Sequence, residues 1–329
     1  MVNGVKIMGM GAYAPPKILD NAYFESIVDT SDEWIVERTG IRERHVVEGD
    51  VASSDLALEA SKIALEKTGI TPEDIDLIIV GTVTSDYIWP STANIIQDKL
   101  GCKNAAGFDI TTGCTGLLTA LDTGTQFIRT GRYKYILCIG VEVLTSITDY
   151  EDRNTCVLFG DGAGAFILGP TDGNDGILST HMANDGSKLK LLYMPAGGSR
   201  MPTTFENASR SLHSINMEGK EVFKNAVRAM VASANYVLED AGYINDDIAL
   251  LIPHQANVRI LEATAKRLKI PLERVMINVE RYGNTSAASI GLALDEAIKE
   301  GRVNKDDLIL LVAFGAGLAA AATLVKWSY

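Results

Sequence analysis

Asp109-Ile110-Thr111-Thr112-Gly113-Cys114-Thr115-Gly116 joins an apolar run beginning at Ala105 to a small-residue apolar pattern, Leu117-Leu118-Thr119-Ala120-Leu121. The alternation reads as strand, tight turn, then buried helix, with Cys114 on the turn. Such an elbow lifts one side chain clear of the sheet. A thiol there sits at a helix N-terminus, where unpaired N–H groups and the positive dipole end favour thiolate. A lone cysteine is more often a buried structural residue. The nucleophilic reading therefore needs a partner from elsewhere in the chain.

The composition sets bounds on that partner. The chain has 329 residues, 47% hydrophobic and 22% charged, which is globular and long enough for two units. No apolar run reaches the ~18 residues of a membrane span. The start, Met1-Val2-Asn3-Gly4-Val5-Lys6, lacks a basic region followed by a long apolar segment, so no signal peptide is expected. Cys102, Cys114, Cys138 and Cys156 show no CxxC pairing, so neither a metal site nor a disulfide framework is expected, and a reducing cytoplasm fits. A net charge of −12 argues against nucleic acid as a partner.

Residues 5–10 read as a first strand. Gly9-Met10-Gly11 lacks the third glycine of a dinucleotide loop, and Pro15-Pro16 breaks any helix after it. Ser31-Asp32-Glu33-Trp34 has the signature of a helix start. Trp34 and Arg38 lie four apart on one face of that helix, which suits either a packed Trp beside a solvated Arg or an aromatic–cationic clamp. Spacing alone favours the former. Residues 55–67 form an amphipathic helix and residues 75–80 a buried strand.

The same pattern returns 173 positions later, Ile75 meeting Ile248. At that offset Leu65, Glu66, Gly69, Asp74, Leu77 and Ile79 meet identical residues, as do Ala120-Leu121-Asp122 and Ile136-Leu137. One register held across three segments is an internal duplication. Each half reads as a mostly parallel α/β layer, with halves at 1–172 and 173–329. Active sites in such sheets lie beyond the carboxyl ends of strands. Cys114 is there in the first half. The second half offers His254, in Pro253-His254-Gln255-Ala256-Asn257, and Asn284, in Gly283-Asn284-Thr285-Ser286-Ala287-Ala288-Ser289. A thiol, an imidazole and a carboxamide thus converge on one pocket.

Residues 145–161 interrupt the repeat. Gly160-Asp161-Gly162-Ala163-Gly164-Ala165 opens a strand rather than a helix, so it reads as close backbone packing and not as a phosphate cradle. Residues 171–215 hold no long periodic run and join the halves. A glycine turn at residues 315–317 stands beside the last strand pair.

With these motifs in hand, the chain resembles the β-ketoacyl-acyl carrier protein synthase III family. The resemblance rests on residues 34–41, Gly113-Cys114-Thr115-Gly116, Asp152-Arg153, residues 159–165, His254-Gln255-Ala256-Asn257 and residues 282–289. It implies a thiolase fold, two duplicated halves in five αβαβα layers, assembled as a homodimer. It implies an acyltransferase that condenses an acyl-CoA starter, acetyl-CoA first among candidates, with malonyl-acyl carrier protein, using no metal or redox cofactor. Cys114 would be the nucleophile, with His254 and Asn284 as its partners. Trp34, Arg38 and Arg153 would hold the adenine and phosphates of coenzyme A. Asn257 and Phe223 would border the pantetheine channel, and the Ala316 turn would supply an oxyanion donor. Trp89 stands where a Phe commonly closes the acyl pocket. Ala319-Ala320 replace a Thr-Trp pair frequent near the end, and Thr112-Gly113 precede the Cys where Ala-Ala is frequent. These departures bear on starter preference, so longer, branched or aromatic starters are a rival reading. A hydroxymethylglutaryl-CoA synthase would want an acid near the Cys, and Asp109 is the one acid within five residues. A non-catalytic carrier-binding homologue would not need Cys114, His254 and Asn284 intact.

An acidic carrier protein must meet a chain that is itself acidic. Residues 257–269 read as a helix beginning just after His254, with Arg259, Lys266, Arg267 and Lys269 as cations and Glu262 as the one acid. Lys224 extends this basic face, which is the expected carrier docking surface.

Overall fold

The computed structural model describes residues 4–329, and the reading of the first three residues as free of a leader lies outside them. Strands β1 (Gly4–Tyr13), β2 (Leu77–Gly81), β3 (Ala106–Ile110), β4 (Ile136–Val143) and β5 (Asp161–Thr171) build one sheet in the order β1-β5-β4-β2-β3. Strands β6 (Gly176–Asn184), β7 (Leu250–Pro253), β8 (Leu308–Gly315) and β9 (Ala319–Lys326) build the other in the order β7-β8-β9-β6. The two sheets carry the same topology. β1, β5, β4 and β2 correspond to β6, β9, β8 and β7.

The 173-residue register extends to single turns. The short 3₁₀ turns Pro72–Asp74 and Asn245–Asp247 coincide at this offset, and so do Gly113–Thr115 and Ser286–Ala288. The helices that follow the second pair, Gly116–Arg129 and Ser289–Lys299, also start 173 residues apart.

The sheets are mixed rather than mostly parallel. β4 pairs parallel with β2 and β2 with β3, but β5 runs antiparallel to both β1 and β4. In the second sheet only β7 and β8 are parallel. The cause is the connection after β4 and β8. Parallel strands need a crossover of a dozen or more residues, whereas β8 returns through residues 316–318 alone, which can only make a hairpin. In the first half residues 144–160 take the place of that turn. The fifth strand is not duplicated. Beside β7 stands a single parallel bridge, Leu251 to Val275, and the chain then turns helically over Val279–Tyr282. Strand β6 lies within the segment that shows no periodic run in the sequence.

We number the longer helices α1 (Asp32–Thr39), α2 (Ser53–Glu66), α3 (Thr92–Leu100), α4 (Gly116–Arg129), α5 (Gly219–Ala241), α6 (Val258–Leu268) and α7 (Ser289–Lys299). Helices α2 and α3 cover the outer face of the first sheet, and α5 with α6 covers that of the second. Helices α4 and α7 touch both sheets and form the middle layer. The five layers αβαβα are those of the thiolase fold. Apolar side chains of the central layer, among them Leu117, Leu121, Ile290 and Leu294, merge with both inner sheet faces into one core. Contact there is close enough to require glycine. A Cβ on Gly164 of β5 would stand 2.6 Å from the Cα of Gly291 in α7. This is the close packing expected of the Gly160–Ala165 run.

Candidate active site

Two strand ends and one turn deliver the three polar groups. Strand β3 ends at Ile110, and the chain tightens into the 3₁₀ turn Gly113–Thr115 before α4 begins. Gly113 takes φ 56°, a left-handed conformation that glycine adopts freely. A Cβ there would press on the Ala316 backbone nitrogen at 3.0 Å, and one on Gly315 would stand 2.6 Å from that of Cys114. The elbow and the β8–β9 turn therefore interlock at glycine, bringing the Cys114 and Ala316 N–H groups to one place.

His254 follows β7. Its backbone N–H donates to the Val312 carbonyl at 2.8 Å, continuing the ladder with β8. Its ring is buried, and Nδ1 lies 2.7 Å from Ser289 Oγ at the start of α7. Gln255 locks the neighbouring backbone. Its Nε2 donates to Pro253 and Met276 carbonyls, and its Oε1 accepts from the Asn278 and Val279 N–H groups. Asn284 arrives not from a strand end but from the helical turn Val279–Tyr282. It is fixed by backbone bonds to residues 144–160. Its N–H donates to Leu158 and its carbonyl accepts from Gly160. Its side-chain Oδ1 accepts the Ser286 N–H at 2.9 Å, leaving Nδ2 as the group free to donate.

Cys114, His254 and Asn284 line one cavity of about 370 Å³, within the usual range for a small-molecule site. Its walls are apolar. Leu144, Ile147, Leu158 and Phe159 come from the interrupting segment, and Val222, Ala226 and Met230 from α5. Leu192, Tyr193 and Met194, from the segment joining the halves, cover one side. Asn257 and Ala316 also line it. Asn257 is in addition the N-cap of α6, accepting the Ile260 N–H at 3.0 Å.

Burial sets the charge state. The Cys114 thiol is pushed up to about 12, chiefly by desolvation, with the Ser286 hydroxyl acting against it and Glu142 adding to it. The dipole expected to favour thiolate does not win, because the cavity is too apolar. Burial also drives His254 down to about 4. The resting pair is a neutral thiol and a neutral imidazole.

The remaining residues singled out in the sequence fall into three groups. Trp34 lies on α1, whose Ser31 cap accepts the Trp34 N–H at 3.1 Å. Arg38 and Arg153 guanidinium carbons stand 4.5 and 4.7 Å from its ring centre, and Arg153 is held by Asp29. The three form a cluster outside the cavity walls. Phe223 is exposed, one position round α5 from the lining residue Val222. Trp89 does not border the cavity of its own chain. It is 83% exposed, on a segment that leaves the sheet after β2 and reaches the surface before α3. Lys224, Lys266 and Arg267 are exposed, whereas Arg259 is drawn to α1, its Nε donating to the Glu37 carbonyl and its guanidinium 3.7 Å from the Glu37 carboxylate.

Four residues went unremarked as site groups: Ser289, Gln255, Ser286 and Glu142. Asp109, the acid near Cys114 in sequence, instead caps α3, accepting the Thr92 and Ala93 N–H groups. The acid whose charge bears on the Cys114 thiol is Glu142, from β4. Among the described residues no cluster of His, Cys, Asp or Glu forms a metal site.

A family profile described as 3-oxoacyl-[acyl-carrier-protein] synthase III matches residues 108–186, and one described as its C-terminal part matches residues 238–327. The chain is 54% identical over 322 residues to a β-ketoacyl-[acyl-carrier-protein] synthase III of Caldanaerobacter subterraneus subsp. tengcongensis, covering 98% of this chain and 97% of that one. It is 49% identical over 323 residues to the protein of that name from Syntrophomonas wolfei, covering 98% and 97%. The crystal structure of 3-oxoacyl-[acyl-carrier-protein] synthase III from Aquifex aeolicus superposes with a TM-score of 0.92 at 45% identity, over 98% of this chain and 100% of that one. The chain belongs to the 3-oxoacyl-[acyl-carrier-protein] synthase III family.

Proposed function

We propose that the chain catalyses the decarboxylative Claisen condensation of an acyl-CoA, acetyl-CoA first, with malonyl-acyl carrier protein, initiating fatty acid synthesis. The observation that carries this reading is the meeting of Cys114, His254 and Asn284, drawn from two duplicated halves, in one apolar cavity. The strands of the first sheet end at Thr171 and those of the second begin at Gly176, which supports a division at 1–172 and 173–329.

In the first half-reaction Cys114 sulfur attacks the thioester carbonyl, and the Cys114 and Ala316 N–H groups meet the oxyanion. The thiol proton ends on the departing CoA sulfur. Ser289 can donate to His254 Nδ1 or accept from it, so Nε2 can receive that proton and pass it on. In the second half-reaction malonyl carrier protein loses CO₂ and forms a thioester enolate. His254 Nε2–H and Asn284 Nδ2 donate to its oxygen. Both donors are neutral, so neither holds the malonyl carboxylate back as a fixed cation would. The enolate attacks acyl-Cys114, and the released sulfur takes up one proton.

Trp34, Arg38 and Arg153 form the adenine and phosphate site, while Asn257 and Phe223 flank the pantetheine path. No metal or redox cofactor enters these steps. Lys224, Lys266 and Arg267 serve the carrier, and Arg259 holds α6 to α1. Edge strand β3 and the exposed Tyr87, Ile88 and Trp89 support a homodimer, with Trp89 acting at the contact between copies. A cytoplasmic location fits the free cysteines. Incubation with acetyl-CoA should add one acetyl group to Cys114, and Cys114→Ala should lose it while still decarboxylating malonyl carrier protein. Unchanged acyl transfer in that variant would overturn the assignment.

A further inference from the structure

Glu142 is fully buried on β4, and its charge opposes ionisation of the Cys114 thiol. Its Oε2 accepts from the Thr84 hydroxyl at 2.6 Å, the Val83 N–H at 3.1 Å and the Thr82 hydroxyl at 3.3 Å. Its Oε1 accepts from the Ser286 hydroxyl alone, at 3.2 Å. All these partners are neutral. Cys114, from the elbow turn, lines the same cavity as Ser286. Asp161 on the adjacent strand β5 turns instead to Thr145 and Val47, and His254 on the same cavity is neutral at working pH.

Ser286 stands where the other half has Gly113. Both take positive φ, 56° for Gly113 and 46° for Ser286. A non-glycine residue there carries strain of about 1–2 kcal/mol, which glycine would avoid. What serine adds is a hydroxyl, and that hydroxyl has two claimants. It bonds Glu142, and it stabilises the Cys114 thiolate. It has one hydrogen to give.

We propose that Glu142 and Ser286 form a buried proton-linked relay that sets the reactivity of Cys114. When Glu142 is ionised, its Oε1 holds the Ser286 hydrogen, and a second negative charge opposes the thiolate. When Glu142 takes a proton from solvent on Oε1, the new O–H donates to Ser286 Oγ. The Ser286 hydrogen then turns to the Cys114 sulfur. Oε2 keeps its three donors in both states, so the exchange is confined to one oxygen. The sulfur is anionic twice, on attack and on release, and the relay acts on both. Both residues are positioning residues. Burial brings Glu142 up to about 7, so the two states exchange near neutrality.

The inference rests on Cys114 as the nucleophile. The test is the rate of Cys114 alkylation by iodoacetamide across pH, located by peptide mass, in wild type, Glu142→Gln, Ser286→Gly and the double variant. Ser286→Gly suits the positive φ, so it keeps the turn. Glu142→Gln fixes the neutral form. Its rate divided by that of wild type should be near one below about pH 6 and rise to about tenfold above about pH 8, one pKa unit being tenfold. In the Ser286→Gly background that rise should shrink by at least half, and Ser286→Gly alone should slow alkylation chiefly below about pH 6, where the hydroxyl is turned to the sulfur. A ratio flat with pH, or the same rise without Ser286, would overturn the relay. Failure of wild-type Cys114 to react ahead of the other cysteines would instead overturn the nucleophile assignment.

Discussion

Ser289 Oγ lies 2.7 Å from His254 Nδ1, and the two residues come from different strand–helix units of the second half. Among the described residues the hydroxyl is the ring's one side-chain hydrogen-bond partner, and it fixes which nitrogen faces the cavity. Ser289→Ala should lower condensation about tenfold, the worth of one buried hydrogen bond of roughly 1–1.5 kcal/mol. Ser289→Thr, which keeps the hydroxyl, should recover most of it. Equal loss in both variants would mean that the site responds to volume and not to the bond.

The Ser286 N–H occupies Asn284 Oδ1, which leaves Nδ2 as the group that can donate. Asn284→Ala should leave Cys114 acylation near normal and slow condensation by about 3–4 kcal/mol, the usual value of one lost oxyanion donor. Single-turnover acylation and malonyl decarboxylation, measured separately, separate the two steps. Equal loss in both would contradict the division of roles between Cys114 and Asn284.

The legibility of this site followed the repeat in part. His254 follows β7, which the repeat pairs with β2, so the register located it, whereas Cys114 follows the unduplicated β3 and was legible from the elbow pattern itself. Glu142, Ser286 and Ser289 escaped because their roles depend on contacts between distant residues. Ser286 meets Glu142 across 144 positions and His254 meets Ser289 across 35. One clue was available: the repeat sets Ser286 against Gly113, at a turn where glycine would serve. Strand β6 was missed because its outer residues are polar and its pairing with β9 is antiparallel at the edge of the sheet. Mixed sheet direction was missed for a related reason. Strand patterns do not state direction, and only the three-residue β8–β9 connection does.

Burial moves Glu142 and His254 in opposite senses, which makes stability depend on pH in two windows. Glu142 rises from 4.5 to about 7, so between these values the folded chain keeps a proton that the unfolded chain releases. Its contribution is present below the lower value and is lost as pH rises through the upper. His254 falls from 6.5 to about 4, so its neutral form is favoured by folding above 6.5, and that contribution is lost as pH falls towards 4. Glu142→Gln removes the first effect alone. Its melting temperature minus that of wild type should increase from about pH 5 to about pH 8. A difference constant with pH would mean that Glu142 ionises normally in the folded chain.

Arg44 is fully buried, donates through Nε and Nη2 to the Val157 carbonyl and through Nη1 to Asn21, and lies over the Phe24 ring. It ties the segment carrying Leu158 and Phe159 to the body of the first half. Arg44→Met keeps much of the volume but leaves that carbonyl unpaired, at a cost of about 1.5–3 kcal/mol. Because Leu158 also holds the Asn284 N–H, condensation should fall more than acylation. Denaturant melts and the two half-reaction rates check this. A stable variant with both rates intact would make Arg44 replaceable packing.

The proposed carrier surface is narrower than the run of cations in α6 implied. Ile260, Leu261, Thr264, Ala265 and Leu268 face inward, leaving Lys266, Arg267 and Lys269 outside, while Arg259 is taken up by Glu37. The exposed cations near the C-terminal end of the helix are then Lys266, Arg267 and Lys269, with Lys224 on α5. The Asn257 cap at the other end lines the cavity, so a carrier bound along α6 is within reach of the tunnel. Complementary charge mainly raises the association rate and is screened by salt. Lys266→Glu with Arg267→Glu should raise KM for malonyl carrier protein several-fold, with a milder effect on acetyl-CoA acylation, and added salt should mimic this in wild type. Arg259→Ala should behave differently. It releases α6 from α1, which carries Trp34 and Arg38, and should disturb acyl-CoA use at least as much as carrier use. If charge reversal at Lys266 and Arg267 leaves the carrier KM and its salt dependence unchanged, docking takes place on another face.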